Sequence, residues 1–271
     1  MVKFGLTESL VGKGKKGMNI RRVPIAICCF AVLAPLAIPL CAESAASEAE
    51  ARRLLDSATI FGDSPCIVAR LEMRISGGGP EKTREIELSI DRKPGRTLTL
   101  ARIVNPAFLS DMKFLKRIEA GMSDGQWVKT SRGVRRLGEG NRFEQIFGSD
   151  FTAEDFGTIE SSGFDIYRDP ARDTAKETVV AAKPRIKAPY ALRLIYISRS
   201  GGLVTKMEYL DEASRVLRRY SVVKIEGAEA KARPIEATME DMTRGGATSL
   251  KILSLTTPGA IPDRVFNPGA L

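Results

Sequence analysis

The chain contains no histidine, and that absence removes more chemistry than any single residue adds. Without imidazole there is no Ser-His or Cys-His nucleophile pair and no histidine metal ligand. Cysteine is nearly as scarce. Of the four, Cys28, Cys29 and Cys41 fall in an apolar leader, which leaves Cys66. One thiol makes neither an internal disulfide nor a thiolate metal cluster, and Cys66 reads as a small buried hydrophobe opening a strand. Aromatics make up 6% of residues, with one tryptophan, Trp127. Heptads, tandem repeats and Pro/Gly/Ser-rich linkers are missing as well. No motif implies a metal or an organic cofactor. Catalysis would have to rest on carboxylates or lysine, so the composition points away from an enzyme.

The leader is a clear feature. Met18-Asn19-Ile20-Arg21-Arg22 precedes the apolar run Val23 to Leu40, the basic n-region and hydrophobic core of an export signal. Ala42, Ser44, Ala45 and Ala46 supply small residues for signal peptidase, with Ala42-Glu43-Ser44 as the nearest site. The run is also about long enough to span a bilayer, so an uncleaved anchor is the alternative. Pro24, Pro35, Pro39 and the small residues that follow favour cleavage. Ile38-Pro39-Leu40 lacks the small residues that lipidation of Cys41 would need. The residues before Met18 are an extended n-region or lie upstream of the true start. The expectation is a leader over 1–44 and a single domain over 45–271, exported to the periplasm and monomeric. Cleavage after Ser44 removes six basic and two acidic residues, taking the net charge from +9 to +5. Those charges are scattered, so nucleic acid is a poor reading in this compartment, and an anionic membrane surface or acidic protein is the better partner.

The remaining chain, roughly 225 residues, suits one large all-β domain as well as two small ones, and no linker divides it. A helix is expected over 47–61: Ser47 as cap, Glu50 three residues on, and Ala51, Leu54, Leu55 and Ala58 on one face. From Cys66 to Ser76, Ile67, Ala69, Leu71, Met73 and Ile75 alternate with charged residues, the period of a half-buried strand. Gly77-Gly78-Gly79-Pro80 then reads as a hairpin turn, since no Lys-Ser/Thr follows to make a phosphate cradle. Further strands are expected at Arg84–Asp91, Arg96–Val104, Tyr190–Ser198, Leu203–Asp211, Arg215–Ile225, Ile235–Asp241 and Thr248–Leu255. No helices alternate with them, which argues against parallel βαβ units. The pattern is an antiparallel meander whose apolar inner face must be closed or covered.

The centre of the chain carries the densest motif, Arg142–Phe156, RFEQIFGSDFTAEDF. Ser149 or Thr152 is placed to cap a short helix after Gly148, with Asp155 three residues beyond Thr152 as a carboxylate capping box. Asp150, Glu154 and Asp155 suit the positive end of that helix, and Phe147, Phe151 and Phe156 suit pinning it to a sheet. An acid/base role for Asp150 and Asp155 is the competing reading. Ion pairs from Asp150 or Asp155 to Arg135 or Arg136 are expected; Arg132, Arg135 and Arg136 otherwise read as a solvated strand face.

These residues resemble a known group. Gln126-Trp127-Val128, Gly133 to Leu137, Phe147-Gly148-Ser149-Asp150-Phe151 and Glu154-Asp155-Phe156 are similar to the core motif of the LolA-like outer-membrane lipoprotein-sorting family. Arg233-Pro234, Met239 to Met242, Gly246 to Leu250 and Ile261-Pro262-Asp263-Arg264-Val265-Phe266 extend the resemblance to the tail. Val128-Lys129-Thr130 departs from the aromatic and proline that usually follow the family's tryptophan. The resemblance implies an incomplete, unclosed antiparallel β-barrel with a helical lid, mainly β with a few helices. It also implies a concave apolar face that holds the acyl chains of a lipoprotein or lipid, and a partner among inner-membrane transporters of the RND type.

On that implication the ligand-facing residues are Leu71, Met73, Ile75, Leu88, Ile90, Leu98, Leu100, Met207 and Tyr209, with Trp127 as core or ligand contact. Ordinary core packing is the alternative for each. Each acyl methylene withdrawn from water contributes about 0.8 kcal/mol, so a carrier needs an opening step and no bond chemistry. Two other classes remain open: a cargo-free adaptor or regulatory module for a membrane partner, and an enzyme built on carboxylates or lysine.

Overall fold

The computed structural model describes residues 40–271, apart from 63, 123–124 and 157–162, and only the backbone of 40–46 and 230. The leader before residue 40, with Cys28 and Cys29, lies outside the described residues. Among the described residues, one α-helix, α1 (Leu40–Ser57), precedes thirteen strands. The first six are β1 (Cys66–Ser76), β2 (Lys82–Lys93), β3 (Arg96–Asn105), β4 (Lys113–Glu119), β5 (Gly125–Thr130) and β6 (Gly133–Leu137). The other seven are β7 (Phe164–Arg168), β8 (Glu177–Pro184), β9 (Leu192–Ser198), β10 (Val204–Leu210), β11 (Val216–Glu226), β12 (Arg233–Asp241) and β13 (Gly246–Thr256).

All thirteen form one antiparallel sheet, in the order β6-β5-β4-β3-β2-β1-β13-β12-β11-β10-β9-β8-β7. Every neighbouring pair is consecutive in the chain except β1 and β13, whose register runs from Val68 opposite Thr256 to Ser76 opposite Ala247. The chain therefore starts mid-sheet, meanders to one edge at β6, and must cross to the other edge at β7 before meandering home. The sheet is an incomplete barrel, unclosed between β6 and β7. Its curl is evident in one apolar cluster that joins Leu71 and Ile86 to Ile166, Tyr209 and Met239, from strands far apart in sheet order. The crossing segment, 138–163, contributes Ile146, Phe147, Phe151 and Phe156 to that same cluster.

The helix begins earlier than its sequence pattern predicts. Ser47 is inside α1 rather than capping it, and its Oγ accepts the backbone N–H of Arg168 at 3.1 Å. Glu50 pairs with the Arg168 guanidinium at 3.0 Å instead of closing a capping box. Ala, Leu and Glu, all strong helix formers, favour helix over the stretch before Ser47. After Ser57 the chain turns into a parallel bridge between Thr59 and Leu203, so residues expected to be helical are drawn along the sheet rim.

A second apolar cluster lies on the opposite face of β1, β3, β4 and β5. It joins Cys66, Leu98 and Leu115 to Ile261 and Phe266 of the C-terminal tail. Arg96 fixes the tail through Asp263 at 2.8 Å, and Lys129 donates to the Leu271 carbonyl at 2.8 Å. Among the described residues, no helix is long and apolar enough to cross a membrane.

Candidate functional site

The described part of the crossing segment, 138–156, is a plug. Phe147 and Gly148 both take left-handed backbone, φ 56° and 61°, which is uncommon for a phenylalanine and free for glycine. The resulting loop is tied by Ile146 N–H to the Phe151 carbonyl at 2.9 Å and Ser149 N–H to the Ile146 carbonyl at 3.0 Å. Ser149 Oγ, buried, donates to the same Ile146 carbonyl at 2.6 Å and accepts from Phe151 N–H at 3.2 Å. Next comes one helical turn, Ala153–Asp155, with Thr152 as its cap. Asp155 Oδ2 accepts both the Thr152 N–H at 2.7 Å and the Thr152 hydroxyl at 2.8 Å. Ala153 N–H bonds the Glu144 carbonyl at 3.0 Å. Among the described residues, the backbone-to-backbone bonds of 138–156 thus link the segment to itself, and every polar hold on the wall involves a side chain.

Aromatic rings are one set of holds. Phe156 packs against Phe114 of β4 at 5.6 Å between centroids and against Phe147 and Phe151 within the plug. Phe151 meets Tyr220 of β11 at 6.5 Å. Polar groups are the other set. Asp150 N–H donates to Thr248 Oγ1 at 2.9 Å, and Thr248 returns a bond to Asp150 Oδ2 at 2.7 Å. Arg244 reaches Asp150 Oδ1 at 3.3 Å. Asp155 is ion-paired with Arg218 and accepts the Tyr209 hydroxyl, and Arg218 also donates to the Asp150 carbonyl at 2.9 Å. The expected pairs with Arg135 and Arg136 do not form: Arg135 pairs with Glu144, and Arg136 lies over the Trp127 ring at 5.6 Å. Both sit on the β6 edge, across the barrel from β11 and β13.

Glu154 and Asp155 are neighbours with opposite electrostatics. Burial pushes Asp155 up, but Arg218, Tyr209 and the Thr152 N–H outweigh it and hold the carboxyl below its ordinary value. For Glu154 burial wins, with Arg193 and Arg142 offsetting it only in part, and its pKa rises. Tyr190 donates to Glu154 Oε2 at 3.0 Å, Arg142 lies 3.7 Å from that oxygen and Arg193 4.0 Å. Asp150 and Asp155, the two carboxylates that the sequence offers for acid/base work, both hold the plug to the wall, through Thr248 and Arg244 and through Arg218 and Tyr209.

Beside the plug is an apolar cleft of about 40 Å³. Its lining includes Ile60 and Phe61 after α1, Leu71 on β1, Met207 on β10 and Phe151 and Phe156 of the plug. By the same measure one water needs about 10–15 Å³, so the cleft has room for roughly three waters and none for an acyl chain.

Among the residues expected to face a ligand, Leu71, Met73, Ile75, Leu88, Ile90, Met207 and Tyr209 belong to the cluster under the plug. Only Leu71 and Met207 line the cleft. Leu98 and Leu100 lie outside that cluster, on the opposite face beneath the C-terminal tail, and Trp127 packs there as the core residue that was one of its two expected roles. Leu98 stands opposite Asp91, and Asp91 opposite Cys66, so the alternation of β3 was legible but its phase relative to β1 was not. The buried partners Arg193, Arg218 and Tyr190 were missed by sequence reading. The available signal was phase: Arg193 shares its face with Ile195 and Ile197, and Arg218 with Tyr220, on strands whose other inward residues are apolar.

A family model described as "Uncharacterized protein" matches residues 95–271. No curated protein matches the chain. An outer membrane lipoprotein-sorting protein domain from Vibrio parahaemolyticus superposes with a TM-score of 0.71 at 18% identity, over 83% of this chain and 98% of that one. A DUF1329 family protein from Desulfovibrio piger gives 0.69 at 18%, over 84% and 98%. A LolA superfamily protein from Nitrosomonas europaea gives 0.61 at 15%, over 82% and 99%. At these identities the likeness is one of fold.

Proposed function

The chain belongs to the family whose model spans residues 95–271 and has the LolA-type fold, and from these premises we propose that it is a periplasmic carrier. It binds acyl chains of a lipoprotein or lipid on its concave apolar face and moves them between inner and outer membrane. It works as a monomer exported by its leader, loaded or unloaded by an inner-membrane transporter, with RND-type transporters the class in view. The observation that carries this reading is the plug. An apolar concave face is stoppered by a segment, 138–156, whose backbone-to-backbone bonds among the described residues are its own, so that stretch can leave without breaking a sheet. Because the cleft holds only about 40 Å³, loading requires that departure. Chain burial then replaces Phe151 and Phe156 burial, at about 0.8 kcal/mol per methylene.

Asp150 and Asp155 serve this mechanism as latches, and no bond-making step is assigned to them. The small cleft also favours a second reading, a cargo-free adaptor or regulator whose plug never opens. Native mass spectrometry of protein taken gently from the cell envelope, followed by solvent extraction, separates the two. A discrete adduct that extracts as an acyl lipid or lipoprotein supports the carrier. A clean protein mass that added lipids do not shift supports the adaptor.

A further inference from the structure

We infer that the site under the plug takes an acyl chain that ends in an anionic group, a carboxylate or a phosphate. This rests on the carrier reading and narrows its cargo. Where the plug sits, the barrel wall supplies three cations, and the plug supplies carboxylates together with one cation of its own, Arg142, 3.7 Å from Glu154. Arg84 of β2 stands opposite Met73, Arg193 of β9 opposite Tyr209, and Arg218 of β11 opposite Tyr209 from the other side. All three therefore face inward. The plug supplies the carboxylates that face two of them, Asp155 at Arg218 and Glu154 at Arg193.

The cations are incompletely satisfied even with the plug in place. Arg193 is fully buried, its nearest carboxylate oxygen is 4.0 Å away, and its guanidinium lies over the Phe164 ring at 4.6 Å. Its Nε and Nη2 have no hydrogen-bond partner among the described residues, and neither do Arg84 Nη1 and Arg218 Nε. The wall's own acids do not fill the gap: Asp241 is matched by Arg244 at 2.6 Å, and Glu236 is at the cleft lining, opposite Lys251 in the β13 register.

A plug that leaves takes its carboxylates with it and strands Arg193 and Arg218 in an apolar chamber. Buried charge without a counter-charge is strongly unfavourable. A neutral cargo would cover the apolar wall and leave that charge unanswered. An anionic head answers it while the chain replaces the phenyl rings, so the plug's own make-up, carboxylates beside aromatic rings, describes the ligand that displaces it.

The test compares three ligands of one chain length on the purified protein, below their micelle concentrations: palmitate, palmitoyl lysophosphatidate and the neutral monopalmitoylglycerol. Affinities are read by titration calorimetry. The expected result is that at least one anionic ligand binds about tenfold or more tighter than the neutral one; which one identifies the head group. Arg193→Met should lose that preference and keep neutral binding; if this variant does not fold, the wild-type comparison decides alone. Equal affinities for all three would overturn the inference and leave the carrier standing. Uptake of none would overturn the carrier reading itself.

Discussion

A Cβ on Gly246 would stand 2.9 Å from Asp150 Oδ1, so the carboxylate that latches the plug lies against bare backbone at the start of β13. Asp150 cannot swing away freely, because Thr248 and Arg244 hold both of its oxygens. Gly246→Ala should therefore lower stability by about 1 kcal/mol, against the usual gain from replacing a strand glycine. In an Asp150→Ala background the clash is gone, and the same substitution should be neutral or stabilising. Urea denaturation of the four proteins in the cycle checks the reversal of sign.

Asp155 and Arg218 form a buried ion pair, with side chains 1% and 11% exposed. Removing either partner leaves the other's charge unanswered. Asp155→Ala and Arg218→Met should each cost about 3–5 kcal/mol, and the double variant less than their sum. Additive losses in denaturant would show that the two side chains do not act as a pair.

Acid should loosen the plug. The folded pKa of Asp155 lies below its unfolded value, so its stabilisation is present above that value and is lost as pH falls through the folded one. Asp173, held down to about 2 by Arg168, does the same between pH 3.8 and about 2. Glu154 runs the other way. Burial raises it, so its contribution is present at low pH and lost as pH rises. Stability followed from pH 2 to 6 should rise with pH; Asp173→Asn should flatten the lowest part of that rise, and Glu154→Gln should steepen the upper part.

Cys66 should be silent. It is 4% exposed and donates to Asp91 Oδ1 at 3.2 Å, and burial pushes its thiol up. A water-soluble alkylating reagent, read by peptide mass spectrometry, should label it only after denaturation. Labelling in buffer at the rate of a free thiol would contradict its placement beneath the tail.

Much of this architecture is written in the sequence as period two. β1 matches its pattern end to end, Cys66–Ser76, because one face is apolar and the other charged. β8 carries no alternation: Val179 and Ala181 are buried on one face and Val180 and Ala182 on the other. A strand covered on both sides reads as a featureless apolar run, and Lys176–Pro189 accordingly looks irregular in sequence. The capping partnership of Thr152 with Asp155 was legible because its three-residue spacing is local. The partners of Asp155 on the wall were not, since Tyr209 and Arg218 lie 54 and 63 positions away. Only the antiparallel register of β10 and β11 brings them together.

Acyl-chain affinity in a protein with a weakened latch tests the central claim most directly. Thr248→Val removes both bonds to Asp150 without changing charge, and it should weaken the closed state by about 1–2 kcal/mol. If the plug must leave for cargo to enter, palmitate should bind the variant about five- to thirtyfold more tightly than the wild type. Binding of equal strength to both proteins, or to neither, would contradict a cargo site beneath the plug.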